Sequence, residues 1–166
     1  MKEQVTINSF DFARDAREFR GTISPRDLER LSDTLFSSDG ELDYLLRGHA
    51  DAQGQSKIIL QVQGELVLVC QRCLGALRHH VDTTVHFVIV PNEGMMPAPE
   101  EEQDDADYLV ADPKLDVIAL VEDEVLLGLP MVALHEAAEC GVNVTEATEQ
   151  KESPFKVLQG LKLGKR

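Results

Sequence analysis

The chain has 166 residues, of which 43% are hydrophobic and 5% aromatic, with no Trp, so it suits one domain with a core of Val, Leu, Ile and Ala. Its formal net charge of -14 speaks against a general nucleic-acid binder, because affinity for phosphate backbones comes largely from Lys and Arg; it favours solubility and basic partners. The opening MKEQVTINSFDFARDAREF lacks the apolar stretch of a signal peptide, no run is long and apolar enough to span a bilayer, and three cysteines form no disulfide framework, so a reducing cytoplasm and no membrane partner are expected.

Ser9–Phe19 reads as a short charged helix with a loose apolar face of Phe10, Phe12, Ala13, Ala16 and Phe19, ended by Gly21. Ser24-Pro25-x-Asp27 then has the form of a helix start. Ser can cap free N–H groups, Pro fits the first turn, and an acid there suits the dipole. Leu28, Leu31 and Leu35 recur at helical spacing up to Ser38-Asp39-Gly40.

From Leu42 the period changes to two. Leu42, Tyr44, Leu46, Gly48 and Ala50 alternate with more polar residues, as in a half-buried strand. After a turn at Asp51–Ser56, a second strand over Ile58–Val69 puts Leu60, Val62, Leu66, Leu68 and Cys70 on one face, with Gly64 as a possible bulge position. Beyond Cys70-Gln71-Arg72-Cys73, a third strand lines up Val81, Thr83, Val85, Phe87 and Ile89. Short connections allow an antiparallel meander. Residues 91–107, with three prolines and the run Glu100-Glu101-Glu102-Gln103-Asp104-Asp105, read as a mobile acidic loop, and Tyr108-Leu109-Val110 as a returning edge strand.

Val117–Leu129 is the strongest helical pattern, with Asp116 as cap and Pro130 after its end. Its acids Glu122, Asp123 and Glu124 are about 100° apart in succession, so they cannot all point away from the core. Glu122 lies closest to the apolar stripe and needs a partner or an outlet at the rim. The domain spans 1–140. Residues 141–153 read as a flexible linker, and 154–166 as a short basic helix with Phe155, Leu158 and Leu161 on one side.

Cys70-x-x-Cys73 can grip one zinc ion from a tight turn, and His135-x4-Cys140 can supply a second pair, making three sulfurs and one nitrogen. The alternative stays open that Cys70 is a core residue and Cys73 an ordinary turn residue. A redox role is disfavoured because the motif does not open a helix after a strand. His49, His79, His80 and His86 fall in strands, and His79 and His80, being adjacent, face opposite sides. No hydrolase, P-loop, dinucleotide-binding or zincin pattern is present. The 122–124 acids read more simply as a helix rim paired with an Arg or a partner than as catalytic carboxylates.

Val69-Cys70-Gln71-Arg72-Cys73, then DVIALVEDEVLLGLP over 116–130, His135, Cys140, and Pro154-Phe155-x-x-Leu158-x-x-Leu161-Lys162 resemble, in order and spacing, the YceD family. Its members are called large ribosomal RNA subunit accumulation proteins. The resemblance covers most of the chain and implies a cytoplasmic bacterial factor that supports accumulation or processing of 23S ribosomal RNA, with no known catalytic activity. The expected fold is α+β: an antiparallel, strongly twisted β-sheet, open or barrel-like, with packed helices. The expected function is a non-enzymatic factor in large-subunit biogenesis. Its expected partner is a basic ribosomal protein or a large-subunit assembly intermediate, held by Glu122, Asp123 and Glu124 and by the tail residues Phe155, Leu158 and Lys162. The tail is also the expected place of any 23S rRNA contact. The alternatives are a small protein with structural or regulatory zinc at Cys70, Cys73, His135 and Cys140, and a nuclease acting on precursor rRNA.

Overall fold

The computed structural model describes residues 5–51, 54–98, 106–136 and 139–140. Strand β1 (Thr6–Ile7) leads into helix α1 (Ser9–Arg14), capped by the Asn8 side chain, which accepts the Asp11 N–H at 3.1 Å. The helix is shorter than its apolar pattern predicts. Ala16 turns to φ 49° and the chain becomes strand β2 (Glu18–Ile23), in which Phe19, Gly21 and Ile23 alternate with Glu18, Arg20 and Thr22. The Glu18 carboxylate binds both Arg20, at 2.7 Å, and Arg47, at 2.8 Å, across the strand pair.

The helix expected from Ser24 onward does not form. In its place stand two 3-10 turns, Pro25–Asp27 and Glu29–Leu31, followed by strand β3 (Leu35–Ser37). Leu28 and Leu31 are fully buried, so their spacing reports the core and not a helix. The Arg30 N–H, which a helix would give to a carbonyl four residues back, donates to the Glu122 carboxylate at 2.7 Å.

Strands β4 (Leu42–Ala50), β5 (Ser56–Val69) and β6 (Ala76–Val90) form the expected antiparallel meander. Strand β7 (Asp107–Val110) completes a sheet of order β2-β4-β5-β6-β7, and β3 pairs with β5 beyond the start of β4. The sheet is open, with β2 and β7 at its edges, so the barrel-like form does not occur. The edge strand expected at Tyr108–Val110 is present as β7 and runs parallel to β6, so residues 91–106 connect parallel strands, which always needs a long connection. That segment carries a 3-10 turn at Glu93–Met95; its acidic run 100–105 lies outside the described residues. Gly64 marks no bulge, because pairing continues unbroken through it from Leu42 to Val81. A Cβ there would lie 2.8 Å from the Glu41 carbonyl, which is why the position is glycine.

Strand β8 (Leu115–Asp116) pairs antiparallel with β1 and runs directly into helix α2 (Val117–Gly128). The alternation in β4, β5 and β6 places Leu42, Tyr44, Leu46, Leu60, Val62, Leu66, Val81 and Phe87 in one buried layer. Helix α1 covers it with Phe12 and Ala13, and α2 with Val117, Val121 and Val125. The opposite face carries residues such as Gln63, His80, Asp82 and His86, all exposed.

Gly48 shows how closely α1 sits on β4: a Cβ there would collide with the Phe12 carbonyl and lie 2.9 Å from the Ala13 Cα. Gly48→Ala should therefore cost about 1–3 kcal/mol, as overpacking against backbone does. Urea unfolding followed by circular dichroism checks this, and an unchanged midpoint would show that α1 is not seated there.

Candidate metal centre

Strand β5 ends in a tight turn. The Cys70 N–H donates to the Gly75 carbonyl and the Leu74 N–H to the Cys70 carbonyl, both at 2.9 Å, with Leu74 in the left-handed region at φ 58°. The turn therefore holds Cys70 and Cys73 on one side while the chain re-enters the sheet as β6. The segment after α2 is tied along this turn by the Gln71 N–H, which donates to the Ala133 carbonyl at 2.8 Å. That bond brings His135 to the cysteines. The Cys140 N–H donates to the Glu136 carbonyl at 3.2 Å.

Ligand atoms of Cys70, Cys73, His135 and Cys140 all lie within 4.8 Å of one another. Around a tetrahedral zinc such atoms stand about 3.5–3.8 Å apart, given the usual Zn–S and Zn–N lengths. His135 Nδ1 is 3.4 Å from Cys73 Sγ. Its Nε2 is 2.9 Å from the Ala76 carbonyl, a pure acceptor, so Nε2 carries the hydrogen and Nδ1 keeps its lone pair turned to the sulfurs. Cys70 and Cys140 are buried, Cys73 and His135 half-buried.

The sulfur environment favours thiolate. The Cys73 N–H aimed at the Cys70 sulfur, against the opposing effect of burial and with help from the His135 and Arg72 N–H groups, lowers that thiol to about 5. The Ala76 carbonyl, then Cys73, raise His135 above its ordinary value. Three soft sulfurs and one imidazole, with thiolate favoured at Cys70, fit zinc chemistry. The four groups the spacing singled out are thus gathered in one place that can hold a metal ion.

The acids of α2 have separate fates. Asp116 caps the helix, accepting from the Ile118 and Ala119 N–H groups at 2.9 and 3.1 Å. Glu122 is 6% exposed and takes the Arg30 N–H; Asp123 pairs with the Arg30 guanidinium. Glu124, 7% exposed, has Asp107 and Asp123 as its charged neighbours. Burial first, then those two carboxylates, raise it above 4.5. Arg30 is the residue that sequence reasoning missed; only the need of Glu122 for a partner pointed to it. The tail residues Phe155, Leu158 and Lys162 lie outside the described residues.

The family profile described as "Large ribosomal RNA subunit accumulation protein YceD" matches residues 58–162, which takes in most of β5, all of β6 and α2, the four candidate ligand residues and the tail motif. A protein of Haemophilus influenzae named Large ribosomal RNA subunit accumulation protein YceD is 26% identical over 179 residues, covering 98% of this chain and 97% of its own length. No solved structure matches the chain.

Two predictions separate the acids. Glu122→Ala leaves the Arg30 N–H without its acceptor and should cost about 1–3 kcal/mol in urea unfolding. Glu124→Gln should do the reverse. The folded state holds the Glu124 proton more tightly than the unfolded chain, so its contribution is full below the ordinary glutamate range and is lost as pH rises through the raised value. The glutamine variant should melt above wild type at neutral pH, and the two should converge as pH falls below about 4.3. A neutral-pH melting temperature at or below wild type would contradict this.

Proposed function

Since the chain belongs to the YceD family of large ribosomal RNA subunit accumulation proteins, we propose that it is a non-enzymatic, cytoplasmic factor supporting accumulation of 23S ribosomal RNA during large-subunit assembly. The observation that carries this reading is the profile match across residues 58–162 together with a relative aligned over nearly both full lengths. Among the described residues no helix is long and apolar enough to cross a membrane.

Cys70, Cys73, His135 and Cys140 would hold one structural zinc in this reading. Four protein donors close a tetrahedral site, whereas a catalytic zinc keeps a position for water. The metal would fasten the segment after α2 to the β5–β6 turn. Glu122 is engaged with a backbone N–H, which supports a structural role over that of a nuclease base. A basic ribosomal protein is the partner that the acids favour. Among the described residues Glu124 has only acidic charged neighbours, one of them Asp107, which stands two positions after the acidic run 100–105; a partner Lys or Arg would relieve that repulsion. Asp123 adds charge at the rim, and Phe155, Leu158 and Lys162 offer a second, amphipathic contact.

Cells depleted of the protein should lose mature 23S rRNA and keep precursor, and wild type and Glu122→Gln should restore it equally, since glutamine can still accept the Arg30 N–H. Failure of the glutamine variant, when folded, would favour the nuclease reading. Protein purified without chelator should contain about one zinc per chain, and Cys70→Ser should lose the metal and melt lower. Absence of stoichiometric zinc, with stability unchanged in the serine variant, would reject the metal.

A further inference from the structure

We propose that the metal-bearing corner is an RNA-contact surface, in which Arg72 between the two hairpin cysteines meets a phosphate of ribosomal RNA. The proposal rests on the rRNA role and deepens it by giving the contact a place. It begins from the distribution of charge. Among the described residues, every arginine and lysine takes part in an ion pair except Arg72 and Lys114. A cation already paired with a carboxylate releases no counterion to RNA and gains little from a phosphate. Among the described residues the unpaired ones are therefore the cations most open to a phosphate.

Arg72 is the better placed of the two. It is exposed at the tip of the β5–β6 hairpin, and its backbone is fixed, because its N–H is aimed at the Cys70 sulfur. A side chain on a fixed backbone loses less freedom on binding.

Distance keeps the acidic residue at the start of β7 away. Asp107 stands opposite Phe87, while the corner begins at Ala76. At about 3.3 Å per residue that is roughly 35 Å along β6, several times the screening length of about 8 Å at physiological salt. Nearer are Glu136 and Glu139, which flank the loop ligands, so the favourable side of the corner is the hairpin side, where Arg72 lies.

The test uses full-length protein as purified, with its metal content measured, titrated with deproteinised 23S rRNA over a range of salt concentrations. Arg72→Gln should keep metal content and melting temperature, weaken binding roughly five- to tenfold and flatten the logarithmic salt slope by about one contact. Lys114→Gln serves as the control that leaves binding unchanged. An Arg72→Gln protein that keeps its metal and binds RNA with wild-type affinity and slope would overturn the proposal. So would loss of affinity for a purified basic ribosomal protein with RNA binding intact. If wild type proves metal-free, the zinc reading fails by itself, and the Arg72 comparison still decides whether the corner touches RNA.

Discussion

The long pairing of β5 with β6 is the constraint from which the rest of the molecule follows. It runs without a break from Ser56 opposite Ile89 to Val69 opposite Ala76. The ribbon buries one face, through Leu60, Val62, Leu66 and Val81, and leaves the other wet. Its two ends then acquire different characters. At one end the chain must reverse within a few residues, and the reversal gathers sulfur. At the other, β6 continues past β5 into Val90 and receives the parallel strand β7 with its acidic approach. The sheet is thus a spacer that holds a metal-type corner and an acidic edge apart.

Helix α2 shows how three consecutive acids can serve three ends. Glu122 is held by a backbone N–H that the 3-10 turn around Arg30 leaves free, and the turn exists in that form because the carboxylate is there. Asp123 takes the charge of the same arginine. Glu124 gets neither, and the protein tolerates a buried carboxylate that repels its neighbours. Such tolerated strain is commonly found where a partner supplies the missing charge.

Much of this was legible in the chain itself. Strands β4, β5 and β6 announce themselves by alternation sustained over many residues, and α2 by Asp116 before it and Pro130 after. The failures share a cause. Leu28, Leu31 and Leu35 have helical spacing, but the hydrogen bond that decides their conformation comes from a residue 92 positions away. The pattern from Phe10 to Phe19 suits a helix until Phe19 finds a strand partner in Leu46. Four residues of β7 carry no information about direction, so its parallel pairing was invisible. The four candidate ligand residues could be named from spacing alone; their meeting goes with the Gln71–Ala133 backbone bond, which no side chain advertises.

The small ribbon of β1 and β8 has a consequence for how the protein comes into being. Thr6 pairs with Asp116, so β1 finds its partner only after the hundred or so residues between them have been made. Until then Val5 and Ile7 have nowhere to dock, and α2 cannot receive the Val5 carbonyl that accepts its Val117 N–H at 2.9 Å. The meander, with its neighbouring strands, can assemble during synthesis, whereas closure of the fold is a late, non-local event. A nascent chain of this design keeps β1 and β8 apart until the core between them is in place.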